Sequence, residues 1–201
     1  GTVQNFAGDP PAPIEGQVWY DSTAGAFQYR ALQAAGSWST GGNLNTGRAQ
    51  LSSATRATQG ASLAFGGTST ATHDETESYN GSTWTEVADM NTTAYSRGGA
   101  GITTSAIAYG GLPTGGATVN AETWNGSTWT EVGNLNTARY HIRGTGATNT
   151  AVIAASGRVP GTNYSIAESF NGTSWTEVGD LNTGKGAGCV AGILTAAIYF
   201  G

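Results

Sequence analysis

The 201-residue sequence has little charge, one cysteine and no helical pattern. Charged residues make up 10% of the chain, and no long segment repeats its apolar residues with a 3.6-residue period, so we expect almost no helix. The single cysteine, Cys189, excludes an internal disulfide, and its apolar surroundings predict a small buried core residue. The net charge is −5 and the basic residues are scattered. That pattern disfavours nucleic-acid binding, which needs clustered Lys and Arg, and no apolar run is long enough to predict membrane insertion.

Instead, the chain contains one sequence motif that occurs three times. Each copy begins with a glutamate and continues through an aromatic residue, Asn-Gly, two hydroxyl residues, Trp, Thr, Glu and Val. Successive tryptophans lie 45 or 46 residues apart. The series is Trp38, Trp84, Trp129 and Trp175. A fixed period of this size predicts an array of one supersecondary unit.

The Asn-Gly pairs predict hairpin turns. Asn followed by Gly between strand-like runs favours a two-residue turn, because both central residues need a positive φ. The pairs begin at Asn80, Asn125 and Asn171. We expect the following tryptophan to open the outgoing strand and to pack between neighbouring sheets.

Each repeat reads as four strands, and this reading sets the domain boundaries. Every copy opens with a variant of Leu-Asn-Thr followed by a basic residue, and an apolar strand then ends in glycine at Gly67, Gly111 or Gly157. Residues 1–15 are proline-rich and are predicted to form an extended leader. Residues 16–201 are predicted to be one domain, with a partial blade at 16–44, full repeats at 45–89, 90–135 and 136–181, and a partial blade at 182–201.

The glycine pair after the second strand, the aromatic residue before the turn and the Trp after it resemble the kelch repeat. The matching residues are Gly66, Gly67, Tyr79 and Trp84, then Gly110, Gly111, Trp124 and Trp129, with Arg48 and Arg139 at a kelch-like arginine position. The third copy departs from the pattern, with Ser156-Gly157. The resemblance implies an all-β, kelch-like β-propeller of four-stranded antiparallel blades. Counting strands predicts about four blades, one of them composite, with strands from 16–40 and 184–200 in one sheet; a fragment of a larger propeller is the alternative.

A second resemblance concerns residues 13–46. Their wording, from Pro-Ile-Glu-Gly-Gln-Val-Trp-Tyr to Gly-Gly-Asn-Leu-Asn-Thr, resembles phage structural and tail-fibre proteins from marine viruses and metagenomes. It implies a non-enzymatic virion structural or host-attachment module, with other virion proteins and a host surface glycan or protein as partners, and a homo-oligomer as a further option. The alternatives are a carbohydrate- or protein-binding propeller of cellular origin and, less favoured, a propeller-based hydrolase or oxidase.

The polar residues indicate structure more than catalysis. The two histidines, His73 and His141, occupy unlike positions and have no ligand-like neighbours, so we predict neither a metal nor a cofactor. Glutamates recur in phase in every repeat, and we expect them to pair with Arg48, Arg97 and Arg139 or to be exposed on the outer strand. Binding is assigned to the variable segments 68–75, 112–120 and 158–166, which are free of repeat constraints. The binding candidates there are His73, Asp74, Arg158 and Tyr164.

Overall fold

The structure is a computed structural model that describes residues 3–11, 17–29 and 40–201. The described residues contain strands and no helix, which confirms the all-β prediction. The chain divides into two compact units, residues 1–40 and 41–201. Trp38, the first member of the tryptophan series, lies outside the described residues.

The first unit contains a three-stranded sheet of β1 (Gln4–Phe6), β2 (Val18–Asp21) and β3 (Ala26–Tyr29). β1 pairs with β2 in parallel, and β2 and β3 form an antiparallel hairpin. The Asp21 carboxylate accepts hydrogen bonds from the backbone amides of Ala24, Thr23 and Gly8. These bonds hold the hairpin turn, and the bond from Ala24 is the main reason that the pKa of Asp21 is lowered. The segment predicted as a leader therefore contributes a strand at Gln4–Phe6.

The second unit contains three antiparallel sheets of four strands each and a final sheet of two. The first sheet consists of β4 (Ser52–Ser53), β5 (Ser62–Thr68), β6 (Thr72–Tyr79) and β7 (Trp84–Val87). The second consists of β8 (Gly98–Ile102), β9 (Ser105–Tyr109), β10 (Ala121–Trp124) and β11 (Trp129–Glu131). The third consists of β12 (Arg143–Thr148), β13 (Ala151–Ala155), β16 (Ala167–Phe170) and β17 (Trp175–Val178), with a small hairpin, β14 (Arg158–Val159) and β15 (Thr162–Asn163), between its middle strands. The last sheet pairs β18 (Cys189–Ile193) with β19 (Ala196–Phe200). Each full repeat thus forms one four-stranded sheet, as predicted.

The sheets stand side by side through their first strands. β4 contacts β8, β8 contacts β12, and β12 contacts β18. This arrangement is compatible with a propeller-like fold, although the described strands include no closed ring. The predicted composite blade stays a prediction; within the first unit β2 and β3 form a sheet with β1, and within the second unit β18 pairs with β19.

The hairpins at the Asn-Gly pairs have four residues between the paired strand ends, and the Asn80 amide donates to Thr83 O across the loop at 3.2 Å, so the loops are close to the predicted two-residue turns. In the first sheet Tyr79 pairs with Trp84, so residues 80–83 form the loop. Only the glycine has a positive φ, 96° at Gly81. The Asn80 side-chain oxygen accepts the backbone amides of Ser82 and Thr83, both at 2.9 Å, and equivalent bonds form at Asn125 and Asn171. The asparagine is selected here because its side chain ties the loop together.

The tryptophans fill the space between adjacent sheets. The ring of Trp129 lies 5.0 Å from that of Phe65 in the first sheet. The ring of Trp175 lies 4.9 Å from that of Tyr109 in the second sheet. Both tryptophans are buried, whereas Trp84 is half-buried. The predicted packing between sheets is therefore confirmed for Trp129 and Trp175.

The last sheet is the most exposed part of the second unit. Cys189 is exposed, which overturns the predicted buried core position. The apolar side chains of Ile198 and Phe200 on the neighbouring strand are exposed as well. The reason is that this sheet has two strands, so its side chains lack the neighbours that the four-stranded sheets provide.

Candidate functional site

A buried group of three polar residues recurs in each repeat, which we call the Arg–Glu–Asn lock. In the third repeat, Glu168 accepts hydrogen bonds from Arg139 Nη1 and from the backbone and side-chain nitrogens of Asn136. Asn136 also donates to the carbonyl of Trp175, at 3.3 Å. Arg139 and Glu168 are completely buried. The predicted pairing of these glutamates is confirmed, and the lock explains why Leu-Asn-Thr opens every repeat.

The three locks are formed by Asn45, Arg48 and Glu77, by Asn91, Arg97 and Glu122, and by Asn136, Arg139 and Glu168. Burial by itself raises the pKa of Glu77, but hydrogen bonds from the Asn45 amide and Arg48 outweigh it, so that the pKa lies below its ordinary value. A carboxylate held ionised and fully bonded in this way joins structural segments and is not free for acid–base chemistry.

The other in-phase glutamates are Glu86, Glu131 and Glu177, and all three are exposed on the fourth strands. The sequence predicts either pairing with an arginine or exposure on the outer strand, and these three glutamates are exposed. The fourth strand of each four-stranded sheet therefore carries one exposed carboxylate.

The glycine pairs turn the chain sharply after the second strand. Gly66 and Gly67 have φ values of 62° and 117°, and Gly110 and Gly111 have 58° and 106°. A Cβ at Gly110 would lie 2.3 Å from Ile142 Cδ1, so the position also demands a small residue. Ser156 takes the same left-handed conformation at φ 63°, and its buried hydroxyl has no hydrogen-bond partner in the described residues. The third repeat therefore keeps the turn at the cost of local strain.

The predicted variable segments lie between the second and third strands, and their structures differ. Residues 68–75 are mostly hairpin, because β6 begins at Thr72. Residues 112–120 are irregular, and residues 158–166 include the β14–β15 hairpin. The structure thus places His73 and Asp74 on a strand of the first sheet and places Arg158 and Tyr164 together on the third segment.

Each variable segment is attached to the following repeat by backbone atoms. The amide of Met90 donates to Asp74 O at 3.0 Å, that of Leu135 to Val119 O at 3.0 Å, and that of Leu181 to Ser165 O at 2.9 Å. The glycine pairs contribute in the same way, as in the bond from the Gly111 amide to Arg139 O. These attachments leave the side chains of the segments free to vary.

Ser69, His73 and Glu75 form a hydrogen-bonded chain in the first variable segment. Ser69 Oγ lies 2.6 Å from His73 Nε2, and His73 Nδ1 lies 2.8 Å from Glu75 Oε2. The order hydroxyl, imidazole, carboxylate is the one that acyl-transfer enzymes use. Ser69 is exposed at the hairpin tip, however, whereas such nucleophiles act in a site that excludes water. We interpret the three residues as a brace for the hairpin.

The third variable segment carries a cation over an aromatic ring. The guanidinium of Arg158 lies 5.4 Å from the centre of the Tyr140 ring. Both residues line an open cavity of about 330 Å³ together with Val159, Pro160, Gly161, Thr162 and Asn163. Tyr164 lies just beyond and is pinned by backbone bonds to Gly157 and Lys185. Of the four predicted binding residues, only Arg158 lines this cavity.

Two further cavities lie among the first strands and include residues that the sequence interpretation did not select. A cavity of about 120 Å³ is lined by Gln50, Leu51, Ser96, His141 and Arg143. A second one, of about 230 Å³, shares Leu51 and Arg143 with it. Along the sequence neither residue stands out, because His141 lacks a metal-ligand pattern and Arg143 belongs to no recurring motif. Aligning the repeats and asking where one copy departs from the others would have identified both.

Over the described residues, no group of three or more His, Cys, Asp or Glu side chains could hold a metal ion, and no helix is long and apolar enough to cross a membrane. No protein-family model matches the sequence, and no curated protein matches it.

Proposed function

We propose that this chain is a non-enzymatic module of a virion, with a structural or host-attachment role. The observation that carries the proposal is the way in which the variable segments are held. Their ends are fixed to the next repeat by backbone hydrogen bonds, at Asp74, Val119 and Ser165. A scaffold of this kind tolerates changes of side chain in the segments, and binding surfaces are commonly built from such segments on a rigid frame.

The recurring polar residues support the non-enzymatic part of the proposal. The buried glutamates and arginines are paired with each other in the Arg–Glu–Asn locks. The exposed glutamates recur on the fourth strand of each four-stranded sheet. An active site is required once, whereas these residues occur in each repeat. The resemblance of residues 13–46 to phage structural and tail-fibre proteins supports the proposed location in a virion.

A carbohydrate- or protein-binding role in a cell is the second candidate. The open cavity beside Arg158 and Tyr140 favours it, because an aromatic ring with a stacked guanidinium offers both an apolar face and hydrogen-bond donors to a ligand. Both candidates use the same variable segments, so the biological context decides between them.

Mass spectrometry of purified particles tests the virion role. We expect the chain to be present in a fixed ratio to the major capsid protein. A particle that lacks it, with the chain confined to the cell, contradicts the virion role and leaves the cellular binding role.

Adsorption to host cells separates attachment from a purely structural role. Particles carrying Arg158→Ser and Tyr164→Ser should adsorb at least tenfold more slowly if the third segment binds the host, while Glu131→Gln, at an exposed position on the fourth strand of the second sheet, should leave adsorption unchanged. Equal adsorption by all three particles assigns a structural role. A fluorophosphonate probe should not label Ser69; labelling that disappears in Ser69→Ala contradicts the non-enzymatic assignment.

A further inference from the structure

We infer that the N-terminal ends of the first strands β4, β8 and β12 form a binding site for a small oxyanion, a carboxylate or a sulfate group, with Arg143 and His141 as its binding residues. The inference goes beyond the proposed function and does not rest on it.

The charges of the second unit are separated in space. Arg48, Arg97 and Arg139 are neutralised inside their locks. Of the other basic residues there, Arg143 and Arg158 lie near His141, whose pKa both of them affect. The unpaired glutamates, in contrast, are on the fourth strands. In a protein of net charge −5, two arginines that have no ion-pair partner among the described residues therefore lie near one histidine.

Strand register shows that this charge belongs to one repeat only. In the third repeat, Arg143 pairs with the residue that precedes the turn after the second strand. Ser52 in the first repeat and Gly98 in the second pair with the equivalent residues. His141 has a φ of 56°, and its counterparts Gln50 and Ser96 both have 53°.

The isolated β-bridge between Tyr140 and Arg158 adds Arg158 as a third position at which the repeats can be compared. It corresponds to the bridges from Ala49 to Thr68 and from Tyr95 to Leu112. At three structurally equivalent positions, the first and second repeats have neutral residues and the third has histidine or arginine. Residues that maintain the scaffold recur, so a set that occurs once indicates a different task.

The inner residues of the three repeats meet at the smaller cavity. The amide of Ser96 donates to Gln50 O and the amide of His141 donates to Ser96 O, both at 2.9 Å. Ser96 Oγ donates to Gln50 Oε1 at 2.6 Å. The cavity of about 120 Å³ is therefore lined by mostly polar residues from all three repeats. That volume is several times the roughly 10–15 Å³ that one water molecule needs, so the cavity has room for one carboxylate or sulfate group.

Arg143 has hydrogen-bonding capacity left for a ligand. Its Nε donates to Gly188 O at 3.0 Å, and its Nη1 donates to Ile142 O at 3.3 Å. Its Nη2 makes no hydrogen bond with a described residue, and no described carboxylate forms an ion pair with Arg143. Guanidinium groups bind carboxylate and sulfate-like oxyanions well because their donors are fixed in a fork.

His141 is set to respond to an anion. Burial lowers the pKa of its imidazole first of all, and the positive charges of Arg158 and Arg143 lower it further, against a hydrogen bond to Gly186 O. Tyr140, the other titratable group packed against the ring, lies 5.1 Å away between ring centres. An oxyanion in the cavity would offset the two arginine charges and stabilise the protonated ring.

Proton NMR of the two histidines tests the site directly. Acetate and sulfate are titrated separately against the full chain, with chloride keeping the ionic strength constant. We expect the ring protons of His141 to shift in a saturable way, while those of His73, which is hydrogen-bonded in the first sheet, serve as an internal reference. Glucuronate compared with glucose then shows whether a carboxylate on a sugar is accepted.

The repeats supply matched variants. His141→Gln and Arg143→Ser give the third repeat the residues that the first repeat has, and Ser52 Oγ already donates to the next sheet at Arg97 O, 2.6 Å away. Both residues are thus compatible with the fold. We expect Arg143→Ser to raise the dissociation constant for acetate and sulfate at least tenfold, followed through His141, while Arg56→Gln at an exposed position leaves it unchanged.

The double variant, which lacks the reporter, is followed by calorimetry, and it should release no binding heat. Three outcomes overturn the site: no saturable shift of His141, the same affinity in Arg143→Ser as in the wild type, or equal weakening by Arg56→Gln, which would indicate general charge screening.

Discussion

In the third repeat Arg139 reaches Glu168 from a position three residues after Asn136, whereas in the second repeat Arg97 reaches Glu122 from six residues after Asn91. Arg139 also donates from Nε to Ser156 O and from Nη1 to Thr137 O. Arg97 approaches its glutamate only to 3.6 Å, and its Nε and Nη2 have no partner in the described residues. The position used by Arg139 is filled by Ala94 in the second repeat.

The difference shows what the lock requires. The buried glutamate needs a cation, but the cation is not tied to one place in the sequence. The asparagine is tied to its place, because its backbone and side chain both donate to the glutamate in all three locks. Arg97, at its displaced position, still neutralises the buried Glu122, but it lacks the hydrogen bonds to backbone carbonyls that Arg139 makes.

Arginine removal is the strongest way to sharpen this comparison. Arg139→Met leaves Glu168 buried without its cation and should reduce the free energy of unfolding by about 3–5 kcal/mol, the range for breaking a buried pair. Arg97→Met should cost less, because Arg97 makes fewer bonds and Glu122 keeps three hydrogen bonds, from Asn91 and Thr92. Urea unfolding measures both.

The double variant Arg139→Met with Glu168→Leu controls for the unpaired charge. It should recover most of the lost stability, since a buried pair replaced by apolar residues is often neutral. Equal losses for the two single arginine variants would refute the difference between the locks.

The turn after the second strand gives an effect of intermediate size. Ser156→Gly should stabilise the protein by about 1 kcal/mol, because it removes a left-handed non-glycine residue and an unbonded buried hydroxyl, partly offset by the flexibility of glycine when unfolded. Gly110→Ser should destabilise by more than that, since its Cβ would meet Ile142 and Arg139 O. Thermal unfolding of the two variants should move in opposite directions; shifts of the same sign would mean that the two turns are not equivalent.

The smallest effect concerns the indole nitrogens. Trp129 Nε1 donates to Thr76 Oγ1 at 2.9 Å, whereas Trp175 Nε1 is buried without a described partner, because Ala121 takes the place of Thr76. Ala121→Thr should supply the bond and add about 1 kcal/mol, and Thr76→Val should remove about the same amount. Chemical unfolding with tryptophan fluorescence follows both, and a destabilising Ala121→Thr would show that the second sheet has no room for the hydroxyl.

The sequence predicts the units of this fold better than their connections. Four strands per repeat, the glutamate–arginine pairing and the packing of Trp129 and Trp175 follow from residues that recur in phase. The Asn-Gly pair at Asn80 predicts a positive φ but does not reveal the loop length. The loop length depends on the two backbone amides that the Asn80 side chain binds.

Contacts between distant segments could not be predicted from a count. The residue total at the two ends predicts a composite blade, but a count does not reveal strand register or local partners, such as the parallel pairing of Val18–Asp21 with Gln4–Phe6. The candidate oxyanion site was missed for a different reason. His141 has no ligand spacing along the chain and Arg143 belongs to no recurring motif, whereas their significance lies in the contrast with Gln50 and Ser52 at the same register.

The Arg–Glu–Asn lock also bears on how a gene of this kind can change in length. Asn, Arg and Glu of each lock come from one repeat, and many of the bonds to the next repeat join backbone atoms, such as the bond from Gly67 N to Ala94 O. Unequal recombination that adds or removes about 45 codons would therefore insert or delete a finished sheet whose polar core is already matched. Point mutations in the variable segments and gain or loss of whole repeats can then proceed independently during the divergence of such genes.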